Sequence, residues 1–246
     1  MAARKNLARS RLVVPVVSPK GGVGKTLVSS MLALLLRDRG LRTGLLDLDV
    51  TNPTVHVVLG IDPSETVPEE EKGIIPPVIH GIQVMTPAFY SWDNPLVLRG
   101  DAVASAIREM LAITRWGELD VLLIDMPPGL SDELLEAMLL AGSPLPLLVS
   151  TQSILSLRST ERIAAMLRDA GTAPLGLVEN MAMYRRSPYE DRYRELGVRL
   201  LAVLPFEPGV EEAMGRPEVL LHTGVAEELR RHVAPLLEHH ARGRGC

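Results

Sequence analysis

Runs of consecutive apolar residues alternate along this chain with stretches whose apolar positions return every three to four residues. The run Leu12-Val13-Val14-Pro15-Val16-Val17 reads as a strand buried on both faces, as in parallel sheets covered by helices. Residues 28–39 have helical spacing, and Gly40 follows as the stop. Strands are predicted at 43–48, 120–125, 146–150, 175–181 and 198–204, and helices at 101–116, 157–170 and 225–237. Residues 74–79 and 82–85 flank His80-Gly81 as a short hairpin or edge strand, and the acidic, proline-containing stretch 62–72 reads as a surface loop. Strand alternating with helix implies right-handed βαβ units. The expected fold is therefore α/β: a doubly wound, mostly parallel sheet with helices on both faces. A length of 246 residues suits one such domain, spanning 1–246, and is short for two.

The chemistry gathers where these strands end. The first is followed by Ser18-Pro19-Lys20-Gly21-Gly22-Val23-Gly24-Lys25-Thr26. Its glycines let successive backbone N–H groups approach phosphate oxygens at the positive end of a helix. Lys25 adds a charge for the β- and γ-phosphates, and Thr26 offers a hydroxyl to Mg²⁺. The general phosphate-loop pattern asks for glycine where Pro19 stands, and the fixed φ of proline still makes a turn there.

Period two places Asp47 and Asp49 on one side at the C-terminal edge of the second strand, where open parallel sheets bind ligands. Asp125 closes the 120–125 strand and is read as holding the Mg²⁺ shell. Met126 occupies the place where many P-loop ATPases carry a water-orienting glutamate, so that task is assigned to Asp47, with Asp49 assisting or touching the metal shell. Charge compensation is assigned to Lys20, Lys25, Mg²⁺ and the amide of Gly129. Thr51, Asn52 and Pro53 read as a loop that responds to the γ-phosphate. Ser131 reads as the N-cap of a following helix.

The run from Lys20 to Thr26 resembles the deviant Walker A motif of the MinD/ParA/Mrp group of P-loop ATPases. In that group the early lysine reaches across a dimer interface to the partner's nucleotide, a role the resemblance gives to Lys20. A closer resemblance is to the Mrp (ApbC-like) family. Asp125-Met126-Pro127-Pro128-Gly129-Leu130-Ser131-Asp132 is similar to its Asp-x-Pro-Pro-Gly-Thr-x-Asp, Val178-Glu179-Asn180-Met181 to its Val-Glu-Asn-Met, Arg99-Gly100 to its Arg-Gly-Pro segment, and Asp47-Leu48-Asp49 to its paired aspartates. These matches run from about residue 12 to about 215.

The resemblance implies a slow, Mg²⁺-dependent ATP hydrolase that forms a homodimer across the nucleotide. It implies a carrier or scaffold in metallocofactor maturation, working on a client or a metal-binding maturation protein. It further implies that Asn180 pairs with the adenine edge while Pro205, Phe206 and Glu207 wall the base. The expected site is then Lys20, Gly21, Gly22, Val23, Gly24, Lys25, Thr26, Gly129, Asn180, Pro205, Phe206 and Glu207 for ATP, Lys20, Asp47 and Asp49 for catalysis, and Thr26, Asp49 and Asp125 for Mg²⁺. The family usually shares an iron–sulfur cluster between two subunits through a Cys-x-x-Cys placed shortly after Val-Glu-Asn-Met. Residues 182–189 read Ala-Met-Tyr-Arg-Arg-Ser-Pro-Tyr here, with no cysteine, and neither Arg nor Ser replaces a thiolate as cluster ligand. Two variants follow from the wider group: a nickel–hydrogenase maturation ATPase whose partner supplies the metal ligands, or a ParA/MinD-like positioning ATPase.

Composition narrows these choices. A hydrophobic fraction of 46% with only 3% aromatic means a core of Leu, Val, Ile, Ala and Met, as helices on a parallel sheet require. The net charge of −4 gives no global pull towards nucleic acid or anionic lipid, so neither DNA nor membrane is an expected partner. The single cysteine is Cys246, which excludes a disulfide framework or a cysteine-only metal site within one chain. No apolar leader opens the chain and no run approaches a membrane span, so the expected compartment is the cytoplasm. His239, His240 and Cys246 form a weak metal-binding combination that lacks outer-shell support.

Overall fold

The computed structural model describes residues 2–91, 101–129, 138 and 144–243. Its strands are β1 (Ser10–Val17), β2 (Thr43–Asp47), β3 (Glu69–Glu70), β4 (Ile74–Ile75), β5 (Val78–Ile79), β6 (Ile82–Met85), β7 (Leu119–Asp125), β8 (Leu147–Thr151), β9 (Gly176–Ala182) and β10 (Leu200–Pro205). Eight of them form one sheet in the order β10-β9-β8-β1-β7-β2-β6-β5. Only the β5–β6 pair in it is antiparallel, which is the hairpin read around His80-Gly81. β3 and β4 pair separately, so the loop expected at 62–72 ends in a short antiparallel ribbon.

Consecutive residues of β1, β2 and β7 are almost all buried. Since neighbouring side chains of a strand point to opposite faces, both faces of the sheet centre are covered. The Lys25–Asp38 helix packs against β1, β2, β6 and β7 and is joined by the Gly224–His232 and Ala234–Gly243 helices. It ends where Gly40 was expected to end it. Gly40 has φ +80, its N–H reaches Arg37 O at 2.8 Å, and Leu41 N–H reaches Leu36 O at 3.2 Å, which satisfies the last free carbonyls.

One expected helix is divided. Residues 225–237 were read as continuous, but the first helix stops at His232 and a second starts at Ala234. Pro235 is the cause: it has no N–H to give, and its ring opposes the carbonyl four residues back. Thr223 opens the first of the two by accepting from Ala226 N–H at 3.2 Å. Among the described residues no helix is long and apolar enough to cross a membrane. Arg99-Gly100, the helix start at Ser131 and Cys246 lie outside the described residues.

Candidate functional site

The cradle sits at the C-terminal end of β1, between β7 and β8. There the crossovers diverge and leave a crevice. Gly24 precedes the Lys25–Asp38 helix with φ +79, a left-handed turn that glycine adopts without strain. A Cβ at Gly24 would also lie 2.2 Å from Asn180 Nδ2, so this position has no room for a side chain. Gly21 to Thr26 line one end of a cleft of about 480 Å³, with Asp49, Thr51, Asn52 and Thr54 on the opposing wall.

The cleft's floor is a buried polar knot. Asp125 is 0% exposed and its carboxylate accepts from Lys25 Nζ at 2.6 Å, Thr26 Oγ1 at 2.7 Å and Ser29 Oγ at 3.2 Å. Ser29 was missed from the sequence. It lies one helical turn beyond Lys25, on the same face, and that spacing was the available signal. Lys25 and Thr26, the residues expected to engage phosphate and Mg²⁺, therefore close on Asp125 in this structure. Oxygen donors from Thr26 and Asp125 suit a hard cation that keeps several waters and takes one or two carboxylates, so the residues present fit Mg²⁺.

The paired aspartates do not share one side, as period two had suggested. β2 stops at Asp47, and the chain turns so that Asp49 N–H donates back to Asp47 Oδ1 at 3.0 Å. Asp47 is 0% exposed, and its Oδ2 also accepts from Thr86 Oγ1 at 3.1 Å and Val55 N–H at 3.4 Å. It lies opposite Asp125 in the β2–β7 register. Burial first, and the Asp125 carboxylate second, push the Asp47 carboxyl up to about 8 against the opposing pull of Lys25. Sealed in this way, Asp47 does not face the cleft where a water would be placed, contrary to the first assignment. Asp49 faces the cleft instead; its Oδ1 accepts from Thr51 Oγ1 at 3.0 Å and Asn52 N–H at 3.1 Å.

A second, apolar slot of about 380 Å³ continues from the cleft between Asn180-Met181 and the 205–208 loop. Pro205, Phe206 and Glu207 line it, and the Glu207 carboxylate is turned to Gly224 N–H at 2.8 Å. Asn180 lines the slot, but its Nδ2 donates to Val23 O at 3.0 Å, so the amide braces the cradle rather than offering that N–H to a base. Met181 has φ +53, a strained left-handed turn of the kind kept at functional sites. Gly129 is a further correction. Its N–H donates to Ser18 O at 3.0 Å and is spent on holding two loops together instead of facing the cradle. Lys20 is exposed on the cradle's outer turn.

Beyond Met181, the 183–187 loop is held from below. Gln152 donates to Tyr184 O at 2.8 Å and accepts Tyr184 N–H at 3.0 Å, while buried Glu179 accepts from Ser187 Oγ at 2.8 Å and Tyr193 Oη at 2.9 Å. Arg192 and Arg194 pair with Glu161, Glu195, Glu190 and Asp191. Burial pushes the Glu179 carboxyl above its ordinary range. The folded state thus keeps a proton that the unfolded chain has already released. This site favours folding below the ordinary carboxylate range and costs stability as pH rises above it. Glu179→Gln is accordingly expected to lose less Tm than the wild type between about pH 5 and about pH 8, as followed by scanning calorimetry. Equal losses in the two proteins would place the proton elsewhere.

A glycine cradle at the end of a central parallel strand, a buried lysine–aspartate pair and an adjoining apolar slot define a P-loop nucleotide-binding protein of the MinD/ParA kind. The chain belongs to the ParA family, matched over residues 9–238 and described as NUBPL iron-transfer P-loop NTPase. It is 34% identical over 233 residues to an iron-sulfur cluster carrier protein of Pseudomonas fragi, covering 87% of this chain and 80% of that one. It is 36% identical over 227 residues to one of Saccharolobus solfataricus, covering 85% and 76%. Among solved structures, a nucleotide-binding protein from Archaeoglobus fulgidus in complex with ADP superimposes with a TM-score of 0.75 at 28% identity, covering 90% of this chain and 93% of that one. The cluster ligands are a separate matter. Among the described residues no group of three or more His, Cys, Asp or Glu side chains is placed to hold a metal ion, and the 182–189 segment has no thiolate.

Proposed function

We propose that this chain is a dimeric, Mg²⁺-dependent ATPase that works as a nucleotide-gated carrier in iron–sulfur protein maturation, with the cluster's thiolates supplied by a partner protein. The observation that carries the ATPase half is the convergence of Lys25, Thr26 and Ser29 on Asp125 beneath the glycine cradle. Amides from Gly21 to Thr26 bind the triphosphate, and Lys25 leaves Asp125 to meet the β- and γ-oxygens. Thr26 and Asp125, with Asp49 at the cleft wall, would hold Mg²⁺, whose contribution is to neutralise charge on those oxygens. Asp49 orients the attacking water, a role that its cleft-facing position supports and that the burial of Asp47 denies to its neighbour. Lys20 reaches the nucleotide of a second subunit, a reading that its exposure on the outer turn supports.

The carrier half rests on the family and on the names of the relatives, and the cysteine-free 182–189 segment supports the reading that a partner supplies the cluster ligands. Titration with ATP and Mg²⁺ tests the first half: saturable binding is expected, and indifference to adenine nucleotides ends the reading. Anaerobic chromatography with an iron–sulfur-loaded partner tests the second. Retention that depends on ATP is expected, and retention indifferent to nucleotide sinks the gating.

A further inference from the structure

The phosphate cleft and the apolar slot are two cavities that share four wall residues: Gly24, Leu27, Glu211 and Met214. A nucleotide laid through both puts its phosphates on the cradle and its base in the slot. The sugar then falls on the shared wall. Of those four residues, Leu27 and Met214 are apolar and Gly24 has no side chain, which leaves Glu211 as the one hydrogen-bonding side chain at the seam. We propose that Glu211 is a specificity-determining residue that accepts the ribose hydroxyls and so selects ribonucleotides over their deoxy counterparts. This deepens the nucleotide-binding reading above and rests on it.

The local structure presents this carboxylate deliberately. Glu211 stands on the short Gly209–Glu212 helix, whose rotation is set by Val210 and Ala213, both buried in the core. The Glu211 backbone N–H is already bonded to Pro208 O at 3.1 Å. Its carboxylate makes no hydrogen bond or ion pair with any described residue, whereas Glu207, four residues earlier, is committed to Gly224 N–H. The next residue, Glu212, lies outside both cavities. An exposed acid beside a triphosphate site is repulsive towards phosphate, and its value there lies in what it accepts. A ribose carries vicinal hydroxyls, which are donors, and a carboxylate is an acceptor with two oxygens. A deoxy sugar leaves one of those oxygens facing water while keeping the whole repulsion.

The test is equilibrium binding of ATP, 2′-deoxy-ATP and 3′-deoxy-ATP to the wild type, Glu211→Gln and Glu211→Ala. The wild type is expected to prefer ATP by about tenfold over at least one deoxy analogue, as the loss of a hydrogen bond to a charged group dictates. Glu211→Ala should bring that ratio close to one by weakening ATP, and Glu211→Gln, which keeps one acceptor oxygen, should fall between. An unchanged ratio in Glu211→Ala, or an equal tightening of all three nucleotides, overturns the proposal and leaves the nucleotide site standing. Failure of the wild type to bind any of the three takes down the site itself. Glu211 is solvent-exposed, so its variants fold and report on binding.

Discussion

Lys25→Ala is expected to lower the stability of the nucleotide-free protein by about 3–5 kcal/mol, the range seen when one partner of a buried ion pair is removed. Asp125 is 0% exposed, and after the substitution Thr26 and Ser29 supply hydroxyl dipoles but no charge. Asp47, which lies opposite Asp125 in the β2–β7 register, offers no compensating cation. The same variant should weaken ATP by roughly ten- to a hundredfold, since it also loses the charged donor to the phosphates. Two measurements separate these effects. Lys25→Met combined with Asp125→Asn removes both charges and should restore most of the lost stability in a denaturant titration, because an ion pair replaced as a unit leaves no orphan. ATP binding should stay lost in the double variant. Wild-type stability in Lys25→Ala alone would show that the 2.6 Å contact is not the neutralising contact for Asp125.

The parts of this site that were legible in the sequence are those whose residues are contiguous. The cradle is one uninterrupted run, so spacing alone placed its glycines, Lys25 and Thr26 at the mouth of a helix. The apolar runs that became β1, β7 and β8 were legible because burial on both faces leaves no polar positions to confuse the period. The misreadings were all matters of where the chain turns or what comes near from afar. Alternation put Asp47 and Asp49 together only if β2 continued, and it stops at the first of them. Gly129 looked free because nothing in its neighbourhood announces Ser18 as a partner more than a hundred residues away. Asn180 was singled out from its motif, yet its bond to Val23 depends on the loop after β1, two strands away in the sheet order. Glu211 was invisible: a glutamate in a polar stretch has no signature until two cavities are seen to meet beside it.

The largest effect on chemistry, as distinct from binding, is expected at Asp49. Asp49→Asn should reduce ATP turnover by about 10²- to 10⁴-fold, the usual contribution of a positioned base or water-orienting group, while ATP affinity changes by no more than about threefold, because neutral Asn keeps the shape and the Oδ1 acceptor. The reasoning is geometric. Thr51 Oγ1 and Asn52 N–H both bind Oδ1, and among the described residues no donor reaches Oδ2, which leaves that oxygen for a water in the cleft. The same two bonds tie Asp49 to the loop expected to sense the γ-phosphate, so a shift of Thr51 or Asn52 on nucleotide binding re-aims the carboxylate directly. Asp47→Asn supplies the contrast. Its target already carries a carboxyl held well above the ordinary range inside the fold, so Asn matches it in charge, and turnover should exceed that of Asp49→Asn. Turnover measured across Mg²⁺ concentration decides between two roles for Asp49. Loss of rate at saturating Mg²⁺ is the signature of water positioning, whereas a rate restored by more Mg²⁺ assigns Asp49 to the metal shell. Equal losses in the two variants, with both folded, would return the water to Asp47 and require the 47–55 turn to open before hydrolysis.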